Sequence, residues 1–98
     1  MIVEITAEAE RDLEEIGDWI ARDNPKRALT FVRELRTACL GLGDFPKRFS
    51  LVPRYEAHGI RHRVHGNYLI FYRVEQARVV VIHVRHGAMD YAGLLFDQ

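Results

Sequence analysis

From Ile60 to Tyr91 the chain carries three strand-like segments, laden with arginine, histidine and tyrosine and parted by short turns. Ile60, His62 and Val64 alternate with Arg61, Arg63 and His65, a period-two pattern with one cationic face. Gly66-Asn67 is a favourable hairpin turn into Tyr68-Leu69-Ile70-Phe71-Tyr72-Arg73-Val74. There Tyr68 and Tyr72 share one face and Leu69, Phe71 and Arg73 the other; one of these sets is expected to be core, with Phe71 a packing residue. After a turn at Glu75-Gln76-Ala77, Val79 to Arg85 is apolar at nearly every position, which predicts a strand that is central or covered on both faces. The run closes in His86-Gly87-Ala88-Met89-Asp90-Tyr91.

The first half of the chain must therefore cover a small sheet. Ile2 to Thr6 reads as a short strand, and Thr6 as the cap of a helix with Glu8, Glu10 and Asp12 near its positive N-terminus. Ala9, Leu13, Ile16 and Ile20 fall on one face, with Trp19 at its edge, and the helix is expected to end near Asp23. Asn24-Pro25 then caps and starts a second helix with Ala28, Phe31, Val32, Leu35, Cys39 and Leu42 as its apolar stripe, and the short link makes the pair an antiparallel hairpin. Gly41, Gly43 and Phe45-Pro46 stop it, and Phe49, Leu51 and Val52 are expected to pin the loop that follows. Tyr91 to Phe96 is a short helical turn or an apolar tail. The fold class is α+β, order β-α-α-β-β-β, with a helical hairpin packed on a small, twisted, mostly antiparallel sheet. At 98 residues, 48% hydrophobic, one domain spanning 1–98 is expected.

Charge is segregated along the chain. Residues 1–23 carry net −6 and the remainder +6, so the formal total is zero. That balance argues against a general nucleic-acid coat protein and predicts one acidic and one basic surface. Cys39 is alone, and neither it nor the five histidines has the spacing of a metal site, so no disulfide, metal or cofactor is expected. The first residues lack the basic start and long apolar run of a secretion signal, and no stretch suits a membrane span, which predicts a cytoplasmic protein.

The order of these segments, with Gly59-Ile60-Arg61-His62-Arg63-Val64-His65-Gly66-Asn67-Tyr68-Leu69-Ile70-Phe71-Tyr72-Arg73-Val74 and then Val81-Ile82-His83-Val84-Arg85-His86-Gly87-Ala88-Met89-Asp90, closely resembles toxins of the RelE/ParE superfamily. The Tyr-Leu-Ile-Phe-Tyr-Arg strand and the His-Gly-Ala-x-Asp ending resemble the ParE branch, also called plasmid stabilisation proteins. The resemblance implies the toxin of a type II toxin-antitoxin system, neutralised by a ParD-like antitoxin with a ribbon-helix-helix N-terminal domain and a C-terminal wrapping segment. It implies DNA gyrase as target, with no direct DNA binding by the chain alone. The RelE branch instead cuts messenger RNA on the ribosome, and one fold carries both activities.

RNA cleavage through the 2′-hydroxyl requires a base, an acid and cations around the phosphate. The available candidates are Arg61, Arg63, Arg73, His86 and Tyr91. RelE-type nucleases resemble one another in placing an arginine just after the position of His86; here Gly87, Ala88 and Met89 stand there. The favoured reading is a non-enzymatic toxin with no catalytic residues, and the alternatives are a RelE-type endoribonuclease or a degenerate member that only binds its antitoxin. Expected antitoxin or target contacts are Trp19, Arg61, Arg63, Arg73 and Arg85, together with Leu94, Leu95 and Phe96. Asp90 is expected to cap a final turn, with His86 bonded locally.

Overall fold

The computed structural model describes residues 1–87. Thr6 both ends the first strand, β1 (Ile2–Ile5), and begins the first helix, α1 (Ala7–Ala21). Its hydroxyl accepts from the Ala9 N–H at 3.2 Å and donates to the Val81 carbonyl at 2.8 Å, so the helix cap is tied to the sheet. α1 stops two residues before Asp23, and the amides of Asp23 and Asn24 both return to the Ile20 carbonyl. Asn24 caps α2 (Pro25–Leu40) through Oδ1, which accepts from the Arg27 N–H at 3.1 Å, and Pro25 supplies the preset first-turn φ.

The remaining strands are β2 (Ile60–His65), β3 (Tyr68–Val74) and β4 (Arg78–His86). The sheet order is β1-β4-β3-β2. β1 runs parallel to β4, and the β4–β3 and β3–β2 pairs are antiparallel. The helical hairpin lies on one face. Ala9, Leu13 and Ile16 of α1, Leu35, Ala38 and Cys39 of α2, and Leu42 close over Ile70, Tyr72, Val79, Val81 and Val84. The other face is covered by the loop before β2, where Val52 packs with Ile60 and Phe71.

Both faces of β3 are thus buried, rather than the one set expected, because the loop acts as a second layer. Phe71 and Tyr72 are adjacent in sequence and neither is exposed. Tyr72 gains a partner for its hydroxyl, which donates to the Pro46 carbonyl at 2.7 Å. The sheet also departs from simple alternation. Phe71 pairs with His83 and Tyr72 with Val81, which leaves Ile82 as an extra residue in β4. This bulge reverses side-chain parity. Val79 and Val81 face the helices, and after the bulge Val84 does so, which turns His83 and Arg85 out of that core.

Candidate functional site

The arginines of β2 face the helical hairpin and are held there. Arg61 Nη1 donates to the Phe49 carbonyl at 2.7 Å and to the Lys47 carbonyl at 3.3 Å. Arg63 Nη1 donates to the Ala38 carbonyl at 2.9 Å, close to the C-terminus of α2, where a cation also meets the negative end of the helix dipole. Its guanidinium lies 5.1 Å from the centre of the Phe49 ring, and Arg48 lies 5.3 Å from the same ring. Neither a free phosphate grip nor a solvated strand face describes these two residues; they fasten the 44–52 segment and α2 to the edge strand. Val64, on the opposite face of β2, is the exposed member of the strand.

Arg73 is exposed and lies 3.4 Å from Glu75. It pairs with Ile60 and Val80 at one end of the sheet, whereas His86 pairs with Tyr68 at the other. Five residue steps along β3 separate the two positions, about 17 Å at roughly 3.3 Å per residue. Arg61 aligns with Tyr72 and Val81, also remote from His86. The register therefore does not gather Arg61, Arg63, Arg73 and His86 around one phosphate-sized volume. Tyr91, Leu94, Leu95, Phe96 and Asp90 lie outside the described residues.

Arg85 belongs to a different group, centred on Asp12. β1 ends at Ile5, opposite Val81, so β1 does not accompany β4 beyond that point. Asp12 of α1 takes over that edge. Its Oδ2 accepts the Val84 N–H at 2.9 Å and meets His83 Nδ1 at 2.9 Å, while Oδ1 lies 3.1 Å from Arg85 Nη2. Asp12 is only 4% exposed, so a carboxylate placed by sequence among the acids of a helix N-terminus is instead a buried strand-edge cap. The available signal was its spacing: three residues after Ala9 and four before Ile16, it sits on the apolar face of α1.

Near the hairpin tip, Trp19 is 64% exposed, with the Arg22 guanidinium 5.0 Å from its ring centre. Beside it lies a cleft of about 420 Å³, walled by Ile20, Phe31, Tyr68 and His86. A second hollow of about 180 Å³ shares Trp19, Tyr68 and His86 and continues along α1 past Ile16 and Glu15. The His86 ring stands edge-on to Tyr68 at 5.4 Å, and Phe31 contacts Tyr68 at 5.5 Å, so the walls support one another. Gly87 donates its N–H to the Asn67 carbonyl at 2.8 Å, which holds the end of β4 against the β2–β3 turn. Among the described residues no cluster of histidine, cysteine and carboxylates could hold a metal ion, and no helix is long and apolar enough to cross a membrane.

A helical hairpin on a four-stranded mixed sheet with an aromatic cleft at one end defines a RelE/ParE-like domain. The model of the ParE toxin of type II toxin-antitoxin systems matches residues 3–91, and the chain belongs to that family. Among solved structures, a chain of the chromosomal ParDE toxin-antitoxin system from P. aeruginosa superposes with a TM-score of 0.77 at 20% identity, covering 88% of this chain and 95% of that one. A chain of the RelBE2 toxin-antitoxin complex from Mycobacterium tuberculosis superposes with a TM-score of 0.65 at 26% identity, covering 87% and 95%. No curated protein sequence matches the chain.

Proposed function

We propose that the chain is one ParE-type toxin domain that acts by holding a protein target, with DNA gyrase as that target and a ParD-like antitoxin as its cytoplasmic neutraliser. The observation that carries this reading is that the candidate arginines do not converge on one site. Arg61 and Arg63 are spent on backbone carbonyls and Arg85 on Asp12, while Arg73 stands at the far end of the sheet from His86. Cleavage of RNA needs several cations converging on one phosphate, together with a base in reach of the 2′-hydroxyl. The family match and the two neighbours described above, both from toxin-antitoxin systems, support an antitoxin partner, and plasmid stabilisation is the role the resemblance implies. Trp19 and its cleft are the described contact surface we assign to the antitoxin, with Leu94, Leu95 and Phe96 as further contacts.

The test is controlled expression of the chain without its antitoxin, with DNA, RNA and protein synthesis followed separately. Early arrest of DNA synthesis with a DNA-damage response is expected. Prompt loss of translation with cut transcripts would instead establish the ribonuclease alternative.

A further inference from the structure

The cleft beside Trp19 has a charge as well as a shape. Ile16 and Trp19 on α1 with Phe31, Tyr68 and Val84 give it apolar and aromatic walls, and Arg27, Asn67, Arg85 and His86 supply a polar share of the lining. The cations that line it are already engaged. Arg27 is hydrogen-bonded to Glu34 and lies 5.0 Å from the Phe31 ring centre, and Arg85 is held by Asp12. Arg22 lies over the Trp19 ring with no ion pair among the described residues, so it keeps one positive charge beside the cleft. Arg11, the other basic residue on the surface of this helix, lines the separate groove between α1 and α2 with Glu10 and Arg36.

The carboxylates are in the opposite condition. Glu15 lines the hollow, and Asp18, which is not part of the lining, lies three residues further along α1 from Glu15; both are exposed, and neither has an ion-pair partner among the described residues. A trough with apolar walls, and with two unpaired carboxylates on α1 against the one unpaired guanidinium of Arg22, selects its occupant by two properties at once. Apolar side chains gain by leaving water for the trough, and cations beside them are attracted by the rim, whereas carboxylates there would be repelled.

We infer that this cleft receives a basic, amphipathic segment of the partner, one that sets a leucine- or phenylalanine-type anchor between Trp19 and Tyr68 with lysine or arginine facing Glu15 and Asp18. The inference rests on the reading of the chain as an antitoxin-bound toxin and specifies the chemistry of that contact. It reverses the polarity suggested by the arginine-rich strands. Arg61, Arg63 and Arg85 are bonded within the fold, whereas Glu15 and Asp18 on α1 stand exposed without an ion pair among the described residues.

The chain holds one tryptophan, so Trp19 emission reports on the cleft directly. The full chain, made by cell-free synthesis, is titrated with two synthetic amphipathic peptides that share one leucine–phenylalanine stripe, one flanked by lysines and the other by glutamates. The lysine peptide is expected to bind with a blue shift of Trp19 emission and to weaken as salt is raised. Reversing both rim charges, Glu15→Lys with Asp18→Lys, is expected to weaken it about tenfold, since each reversal removes an attraction and adds a repulsion. The same reversal should shift preference to the glutamate peptide.

Equal binding of the two peptides to the unaltered chain, or an affinity unmoved by the double reversal, would overturn the inference. So would a blue shift with protein concentration alone, which would make a second copy the occupant, or a red shift on deleting residues 91–98, which would make it the chain's own tail. The antitoxin encoded beside the gene separates this inference from the reading beneath it. Antitoxin binding that survives the double reversal unchanged removes the cleft assignment and leaves the toxin-antitoxin reading in place. A chain that takes up the lysine peptide but not that antitoxin leaves the cleft chemistry in place and removes the pairing.

Discussion

Replacing Asp12 with alanine would strand the donors that the fold directs at one carboxylate. The Val84 N–H, 2.9 Å from Oδ2, lies at a buried strand edge where water cannot readily replace the lost acceptor. A hydrogen bond from a buried amide to a charged group contributes about 1.5–3 kcal/mol. The Arg85 contact at 3.1 Å adds less, because its side chain is 26% exposed; a partly screened pair is worth about 1 kcal/mol or below. Together these give a loss of about 3 kcal/mol for Asp12→Ala, a large part of the roughly 5–15 kcal/mol that holds a domain of this kind folded. Asp12→Asn should cost about 1–2 kcal/mol, because an amide oxygen can still accept from Val84 while its NH₂ faces Arg85 without charge. At about 4–8 °C per kcal/mol for a domain of this size, the alanine variant should melt more than about 10 °C lower. Urea and thermal unfolding followed by circular dichroism measure both variants. An alanine variant within about 0.5 kcal/mol of the parent would refute the assignment of Asp12 as a buried edge cap, since that is the ordinary range of a surface change.

Other expectations follow from the same contacts. Burial pushes the Cys39 thiol up to about 12, so in the native chain it should resist iodoacetamide at pH 8 and react at the rate of unfolding; fast labelling of folded protein would contradict its placement in the core. The hydrogen bond from Arg36 holds the Glu10 carboxyl below its ordinary range, as the Arg27 hydrogen bond does for Glu34. Stabilisation from such depressed carboxyls is present above the unfolded value of about 4.3 and is lost as pH falls through the lower folded value, so Glu10→Gln should flatten the decline in urea midpoint on acidification. Gly43→Ala should destabilise the chain, because an added Cβ would fall 2.3 Å from the Met1 carbonyl oxygen, and backbone on both sides must shift; an unchanged melting temperature would contradict that approach. Arg63→Met should loosen the 44–52 segment by removing both the Ala38 bond and the stack on Phe49, seen as faster exchange of the Val52 and His62 amides, which bond the Ile60 and Ser50 carbonyls, without loss of the sheet.

Most of the architecture was legible because local signals agreed with one another. Thr6 and Asn24-Pro25 mark helix starts by a mechanism that operates within four residues, and Gly66-Asn67 fixes a hairpin by its own φ preferences; the structure has Gly66 at φ +58°. What could not be read depends on residues far apart in the chain. The bulge at Ile82 is set by how β4 meets β3, and nothing in Val79 to Arg85 announces where alternation will reverse. The double burial of Phe71 and Tyr72 requires the 44–59 loop to return over the outer face, which a proline- and glycine-marked segment does not reveal. Charged side chains were the least legible. Asp12, Arg61 and Arg63 all sit where a surface or substrate role is the natural reading, yet each has its partner on another element, 72, 12 and 25 residues away in sequence. Net charge by segment was read correctly, but which of those charges remain available to a partner was decided by tertiary pairing.

In the function proposed, this ParE-family chain occupies a protein and does not cut RNA. Its most direct measurement is the supercoiling of relaxed plasmid by purified DNA gyrase with increasing amounts of the chain, alongside ribosomes programmed with a defined messenger. Loss of supercoiling with accumulation of cleaved plasmid, relief by the antitoxin, and an intact messenger are expected. Unimpaired gyrase together with a messenger cut on the ribosome is the opposite result.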